Sequence, residues 1–243
     1  MTYYDRADSR SQVMLGGRVT PGIRALMIAN GAVFLVQMLT LRVGGTAIEP
    51  LFGLQPEQVI HKPFFVWQLV TYMFLHSTGW IFHVVLNMLM LWMFGAEVER
   101  AWGTRPFLRY YFVCGIGAAL TTCVLFPHSL TIGASGAVFG VMLAYALMFP
   151  NRQILFWFIF PMRAVSFVLL CAVIEMAQLL EMQDGIAHIA HLGGMLFGYL
   201  YLKRAWRIRP FLSELHWRLR RRRFRVVDRP DQTPRPDRHY PYH

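Results

Sequence analysis

Charged side chains are scarce in this sequence. Asp, Glu, Lys and Arg make up 15% of its 243 residues, against roughly 25% in an average soluble domain. Hydrophobic residues make up 56%. A chain with so little charge and so many apolar residues is typical of a membrane protein.

Negative charge is the scarcer sign. The chain has 13 Asp and Glu against 24 Lys and Arg, which gives a net charge of +11. The basic residues concentrate before residue 25 and after Lys203, where they suit cytoplasmic flanks beside anionic lipid. We therefore expect anionic head groups as partners of the basic tail, and no nucleic acid. A disordered tail that binds nucleic acid is the alternative.

Cysteine is also rare, and the usual metal motifs are missing. Cys114, Cys123 and Cys171 lie in apolar segments with no Cys-x-x-Cys, which argues against a disulfide framework. There is no His-Glu-x-x-His zinc motif, nor the pair of intramembrane aspartates that an aspartyl protease of the membrane needs. No carboxylate or cysteine evident from the sequence completes a ligand set with the histidines. We therefore predict no metal and no cofactor; the histidines concerned are His76, His83, His188 and His191.

Six apolar segments predict six transmembrane helices, since a span needs about 20 residues at 1.5 Å each. The loop after the first helix, residues 43–78, is long and ends in an aromatic run, which predicts a structured element in the membrane interface. The apolar residues 154–162 are interrupted by Pro161 and predict an interfacial turn. The fold class is therefore an all-α polytopic membrane protein, a six-helix bundle with a long structured first loop. Its helices are predicted at about 23–42, 80–98, 107–126, 135–149, 164–180 and 186–202.

These segments divide the chain into three parts. Residues 1–22 form a cytoplasmic N-terminal segment, residues 23–204 the membrane domain, and residues 205–243 a basic tail that we expect to be disordered. An even number of spans puts both ends on one side, and the positive-inside rule makes that side the cytoplasm. We expect an integral multi-pass protein of a bacterial inner membrane.

Ser135 stands in Gly133-Ala134-Ser135-Gly136, at the start of the fourth segment. The 16 residues from Ser135 to Pro150 would form a helix of about 24 Å, shorter than the roughly 30 Å hydrocarbon core. Ser135 should therefore lie below the outer surface, at a helix N-terminus whose N–H groups suit an oxyanion. Irregular backbone at that depth predicts a water-filled cavity. The alternative is that Gly133, Gly136 and Gly140 are only packing sites.

Four ionisable residues fall inside the predicted spans: His83, Glu175, His188 and His191. The three histidines share the depth of Ser135, whereas Glu175 has no partner that the sequence identifies. His83 and Asn87 are spaced i, i+4, so both donors share a helix face.

Gly194 and Gly198 would let the sixth helix pack closely against the fourth, near Gly136 and Gly140, which brings His191 to Ser135. His188, three residues earlier, is the rival base.

These motifs resemble those of the rhomboid intramembrane serine proteases. The matching residues are Gly133-Ala134-Ser135-Gly136, His83-xxx-Asn87 and Ala190-His191-xx-Gly194-xxx-Gly198, in the family's order. The resemblance implies Ser135 as nucleophile and His191 as general base and later acid, a dyad without a carboxylate. It also implies an oxyanion site formed by His83, Asn87 and the Ser135 backbone N–H, with Phe139 packed against the catalytic histidine. Trp67-Gln68 stands where the family often carries Trp-Arg, so the arginine's structuring role is lost or supplied elsewhere.

The function that this resemblance implies is an intramembrane serine endopeptidase. It would cleave peptide bonds in or near the transmembrane segments of other membrane proteins, which are its expected partners. The alternatives are an inactive rhomboid-like protein that binds membrane clients, and a channel or transporter. The sequence does not indicate an oligomeric state.

Overall fold

The computed structural model describes residues 17–43, 48–156, 159–180 and 186–203. Predictions about most of the N-terminal segment and about the tail after residue 204 lie outside these residues. The described part is mostly helical, and its long helices coincide with the six predicted segments. They are α1 (Pro21–Arg42), α5 (Phe82–Trp102), α6 (Thr104–Leu125), α7 (Ser135–Met148), α8 (Ala164–Leu180) and α9 (186–203).

Three of these helices, α1, α5 and α6, are long and apolar enough to cross a membrane. The helices α7 and α8 are apolar but shorter. At 14 residues, α7 measures about 21 Å, which agrees with a helix that begins inside the bilayer. α7 packs against α5, α6 and α8, so the shortest of the long helices lies inside the bundle.

The loop after α1 is structured. It forms α2 (Glu49–Phe52), α3 (Pro56–His61) and α4 (Gln68–Thr71), with single 3₁₀ turns at Pro63–Phe65 and Tyr72–Phe74. Gln68 is fully buried at its centre. Its side-chain oxygen accepts the Gln55 N–H at 3.0 Å, and its amide nitrogen lies 3.3 Å from both the Leu51 carbonyl and the Gln58 side-chain oxygen. A glutamine therefore organises the loop at the position where the resemblance led us to expect arginine.

The predicted turn over residues 154–162 is instead a β-hairpin, which corrects a purely α-helical assignment. β1 (Gln153–Phe156) pairs antiparallel with β2 (Phe160–Arg163), and Leu155 lies opposite Pro161. Proline lacks the N–H of a ladder hydrogen bond but is tolerated in an edge strand. Both strands of a two-stranded sheet are edges, so Pro161 does not prevent pairing.

α5 continues past its predicted end to Trp102 because Glu99 is held by the neighbouring helices. This buried carboxylate accepts hydrogen bonds from the N–H groups of Gly22 at 2.7 Å and Ile23 at 2.9 Å. The hydroxyls of Thr20 and Thr104 also donate to it. Since the first N–H groups of a helix lack intrahelical partners, Glu99 caps α1 while fixing the α5–α6 corner.

We predict that Glu99→Gln destabilises the protein. An amide offers one acceptor oxygen where four donors now meet a carboxylate, so at least one buried donor loses its partner. The free energy of unfolding should fall by about 2–3 kcal/mol, measured by chemical unfolding in mixed micelles. Glu57→Gln is the control, since the exposed Glu57 carboxylate lies 3.4 Å from the exposed His128 ring, and loss of such a surface pair should change stability little. Equal stability of the two variants would contradict the prediction.

Candidate active site

Ser135 and His191 form a hydrogen-bonded pair between α7 and α9. His191 Nε2 lies 2.7 Å from Ser135 Oγ. The Phe139 ring stacks on the imidazole, with centroids 4.3 Å apart and planes inclined by 7°. Phe139 follows Ser135 by one helical turn, so a single face of α7 presents the hydroxyl and supports its partner. An imidazole nitrogen at this distance can accept the hydroxyl proton.

Small residues bring these two helices together. A Cβ atom on Gly194 would overlap the Gly136 carbonyl oxygen, and one on Gly136 would lie 3.1 Å from the Ala190 oxygen. α9 therefore touches α7 backbone to backbone directly beside Ser135 and His191, as the spacing predicts. Gly198 differs from the prediction: the atoms nearest to it belong to Tyr110 and Cys114, so it packs against α6 and not α7.

Gly133 opens space next to the serine hydroxyl. Its φ is +122°, a conformation that side chains rarely adopt, and its N–H donates to the Tyr72 carbonyl at 2.9 Å. A Cβ there would lie 2.9 Å from His83 Nε2 and 3.7 Å from Ser135 Oγ. The missing side chain thus leaves a gap between Ser135 Oγ, the candidate nucleophile, and His83 Nε2. An oxygen atom placed in this gap would lie beside both atoms.

A chain of hydrogen bonds from α1 fixes the orientation of the His83 ring. The Gln37 amide donates to the His76 carbonyl at 3.0 Å and accepts the His76 N–H at 3.0 Å. The next N–H, that of Ser77, donates to His83 Nδ1 at 3.1 Å. Because Nδ1 accepts, the neutral ring carries its proton on Nε2. His83 therefore directs an N–H donor towards the gap at Gly133.

His76 lies behind this donor. Its ring is fully buried and meets the His83 ring edge-on, with centroids 5.0 Å apart. Burial, and secondarily the neighbouring His83, lower the pKa of His76 to about 4. His76 is therefore neutral at physiological pH and packs against His83 without adding charge.

Asn87 lies one turn beyond His83 on α5, as its i, i+4 spacing predicts. Its amide nitrogen donates to the His83 carbonyl at 2.8 Å, which uses one of its two hydrogens. The residue is buried beside the cavity, so the second hydrogen is available to a group bound there.

A cavity of about 730 Å³ is lined by the Ser135–His191 pair, Phe139, Gly133, His83 and Asn87. Its volume falls within the range of ligand pockets, about 300–1,000 Å³. The polar residues that line it come from four helices and from the segment before α7; they include His83, Asn87, Ser135, Glu175, His188 and His191.

Glu175 is the functional candidate that the sequence analysis left without a partner. Its Oε2 lies 2.6 Å from His188 Nδ1, in a hydrogen bond, and 2.9 Å from His191 Nδ1. The prediction of a histidine with no carboxylate beside it is therefore wrong. The sequence already singled out Glu175 as the one charged residue in an apolar segment. No motif, however, indicated which side of α8 faces α9, so its partners could not be predicted. His188, the rival base, faces this carboxylate.

Glu175, His188 and His191 also bear on the prediction of no metal site, which rested on the lack of a carboxylate beside the histidines. Glu175 supplies the carboxylate that the histidines lacked, and the candidate ligand atoms of Glu175, His188 and His191 lie within 4.8 Å of one another. In the structure Glu175 Oε2 forms a hydrogen bond with His188 Nδ1 at 2.6 Å and lies 2.9 Å from His191 Nδ1, so the candidate ligand atoms contact one another directly.

Comparisons with known proteins agree with the motifs. A family model described as a Rhomboid domain matches residues 63–207. RHOMBOID-like protein 2 of Arabidopsis thaliana is 28% identical over 154 residues, 63% of this chain and 46% of that protein. Rhomboid-like protease 3 of Toxoplasma gondii is 35% identical over 103 residues, 42% of this chain and 35% of that protein.

Rhomboid protease GluP of Bacillus subtilis is 29% identical over 164 residues, 67% of this chain and 31% of that protein. The chain thus spans between about a third and a half of the length of the curated relatives it matches.

We predict that Gly194→Ala destabilises the bundle. The added methyl group overlaps backbone, which cannot rotate away, so α9 must move from α7; overpacking of this kind costs about 1–3 kcal/mol. Gly31→Ala is the matched control, because nothing lies within 4 Å of a Cβ at that position of α1. Thermal unfolding in detergent should show a lower midpoint for Gly194→Ala alone. An unchanged midpoint would refute the close contact.

Proposed function

The chain belongs to the rhomboid family, and from this premise we propose that it is an intramembrane serine endopeptidase. The observation that carries the proposal is the 2.7 Å contact between His191 Nε2 and Ser135 Oγ. Ser135 is the nucleophile and His191 the general base. If the protein were a channel or transporter, the hydrogen-bonded Ser135–His191 pair would have no evident role. An inactive client-binding protein would need neither group, and no contact at the site favours it.

The reaction begins when the Ser135 hydroxyl gives its proton to His191 Nε2 and Oγ attacks a peptide carbonyl carbon. The carbonyl oxygen becomes an oxyanion in the gap beside Gly133. There the N–H of Ser135 at the start of α7, His83 Nε2–H and Asn87 Nδ2–H can donate to it. The protonated His191 then donates to the leaving amine, which breaks the C–N bond and leaves an acyl-enzyme. Water, activated by His191, hydrolyses the ester and restores both residues.

The substrates we propose are transmembrane segments of other proteins. A backbone carbonyl inside a helix is hydrogen-bonded and shielded, so a substrate helix must unwind locally before Ser135 can attack it. The cavity supplies polar groups for the freed backbone, which lipid does not. Small and helix-breaking residues near the cleavage site should therefore favour hydrolysis.

The proposed setting is a six-helix membrane domain over residues 23–204 with both termini in the cytoplasm, after the positive-inside rule. The tail, residues 205–243, would contact anionic head groups on that side. A bacterial inner membrane stays a prediction, since the relatives come from Arabidopsis thaliana and Toxoplasma gondii as well as Bacillus subtilis.

The first test is cleavage of a labelled single-span substrate by purified protein in detergent, with fluorophosphonate labelling of the serine as a second readout. Ser135→Ala and His191→Ala should each lower kcat by about a thousandfold or more. His188→Ala should retain far more activity than His191→Ala. Wild-type turnover no higher than that of Ser135→Ala would refute the protease proposal. Retained cleavage by His191→Ala, with loss in His188→Ala, would refute only the choice of base.

A second prediction concerns the oxyanion donor. His83→Ala should lower kcat by about 10²–10³-fold, because it removes one donor that acts on the transition state. KM should change little. His128→Ala is the control, since that ring is exposed and, among the described residues, lies near the Glu57 carboxylate at 3.4 Å. A loss confined to KM would show that His83 binds substrate and does not stabilise the oxyanion.

A further inference from the structure

We propose that Glu175 is a positioning residue for His191, held in place by His188. The inference rests on the proposed function and deepens it: the catalytic pair would be extended to His188–Glu175–His191–Ser135. It is carried by the burial of one carboxylate in an apolar helix and by its two contacts with ring nitrogens.

The position of Glu175 on α8 turns its carboxylate into the bundle. Glu175 is 9% exposed, whereas Val173, Ile174 and Met176 beside it are 43–64% exposed. The lipid-facing side of α8 is therefore apolar, and the single acidic residue of the helix faces the cavity. Since a buried carboxylate is costly without a partner, its contacts identify what it does.

Both contacts of Glu175 are made to Nδ1 atoms. The His188 contact, at 2.6 Å, has hydrogen-bond geometry. The His191 contact, at 2.9 Å, is within ion-pair distance but is not aligned as a hydrogen bond. His188 therefore fixes the carboxylate, and the carboxylate acts on His191 chiefly through its charge.

That charge favours the proton arrangement that catalysis needs. A negative oxygen at Nδ1 favours a proton on Nδ1, and a neutral ring protonated there keeps a lone pair on Nε2. Nε2 is the atom that faces Ser135 Oγ. When Nε2 takes the serine proton, the ring becomes positive, and the ionised Glu175 stabilises it without accepting a proton itself.

The test compares Glu175→Gln, which keeps the shape and removes the charge, with Glu175→Asp, which keeps the charge one methylene further away. Glu175→Gln should lower kcat roughly tenfold to a hundredfold with KM within about twofold, because the charge acts on the imidazolium of the transition state. Glu175→Asp should recover part of the loss. The melting temperature of Glu175→Gln should not fall, since a buried charge is removed.

Gln178→Leu is the matched control, because Gln178 lies one turn further on the exposed side of the same helix; it should leave kcat unchanged. His188→Gln should lower kcat in the wild-type background and have no further effect in Glu175→Gln, since both changes break one chain. Wild-type kcat in Glu175→Gln, or equal losses in Gln and Asp variants with a lower melting temperature, would overturn the proposal.

A readout that does not depend on turnover separates this proposal from the protease proposal. ¹⁵N NMR of histidine-labelled protein, assigned with His191→Gln, should show His191 protonated at Nδ1, and Glu175→Leu should reduce that tautomer. An unchanged tautomer would overturn the positioning role even if the wild type cleaves substrate. A wild type that shows the tautomer and its loss but no Ser135-dependent cleavage would instead refute the proposed function.

Discussion

The backbone contact between Gly136 of α7 and Gly194 of α9 is the constraint on which the candidate site depends. Ser135 directly precedes one glycine, and His191 lies one turn before the other, so this contact sets their separation. Lipid offers no hydrophobic drive for helix association, and small residues that allow dispersion contacts take that role. A side chain at either glycine would meet main-chain or helix-packed atoms. The 2.7 Å distance from Nε2 to Oγ is thus a consequence of close packing between these two helices.

The side of the cavity that carries the proposed oxyanion donors is held by different forces. Polar contacts of the first loop fix it: Gln37 of α1 binds the His76 backbone, and the adjacent Ser77 N–H orients His83. The segment before α7 is tied to the same loop, because Leu54 and Thr131 exchange backbone hydrogen bonds at 2.9 Å. The Ser135–His191 pair therefore depends on small-residue packing, and the proposed oxyanion donors depend on hydrogen bonds. A perturbation of α1 or of the loop should therefore displace His83 without separating Ser135 from His191.

The features that could be predicted from the sequence are those determined by short distances along the chain. Apolar length gives the long helices, and i, i+4 spacing places Asn87 beside His83; the contact of Phe139 with His191 was implied by the family resemblance. Partners across long separations were missed, because a helical pattern does not specify rotation or neighbours. Glu99 as the cap of α1, Gln68 as the centre of the loop and Gly198 against α6 are of this kind. The hairpin at Gln153–Arg163 was missed because its strands are short and contain proline, and Glu175 because no local signal links α8 to α9.

The features that depart from ordinary local rules gather at the cavity. Gly133 adopts a φ of +122°, which a residue with a side chain rarely tolerates. Glu175 places a carboxylate deep in an apolar bundle, which costs stability that an apolar residue would recover. Elsewhere in the described residues the buried carboxylate of Glu99 accepts four hydrogen bonds and caps α1, which explains it structurally. Among the described residues, the contacts of the Glu175 carboxylate are instead with two imidazoles, one of which contacts Ser135. In a medium of low dielectric constant a fixed charge acts strongly on a ring only a few ångströms away. In the proposed positioning role, the same burial that makes Glu175 costly is what makes its charge effective on His191.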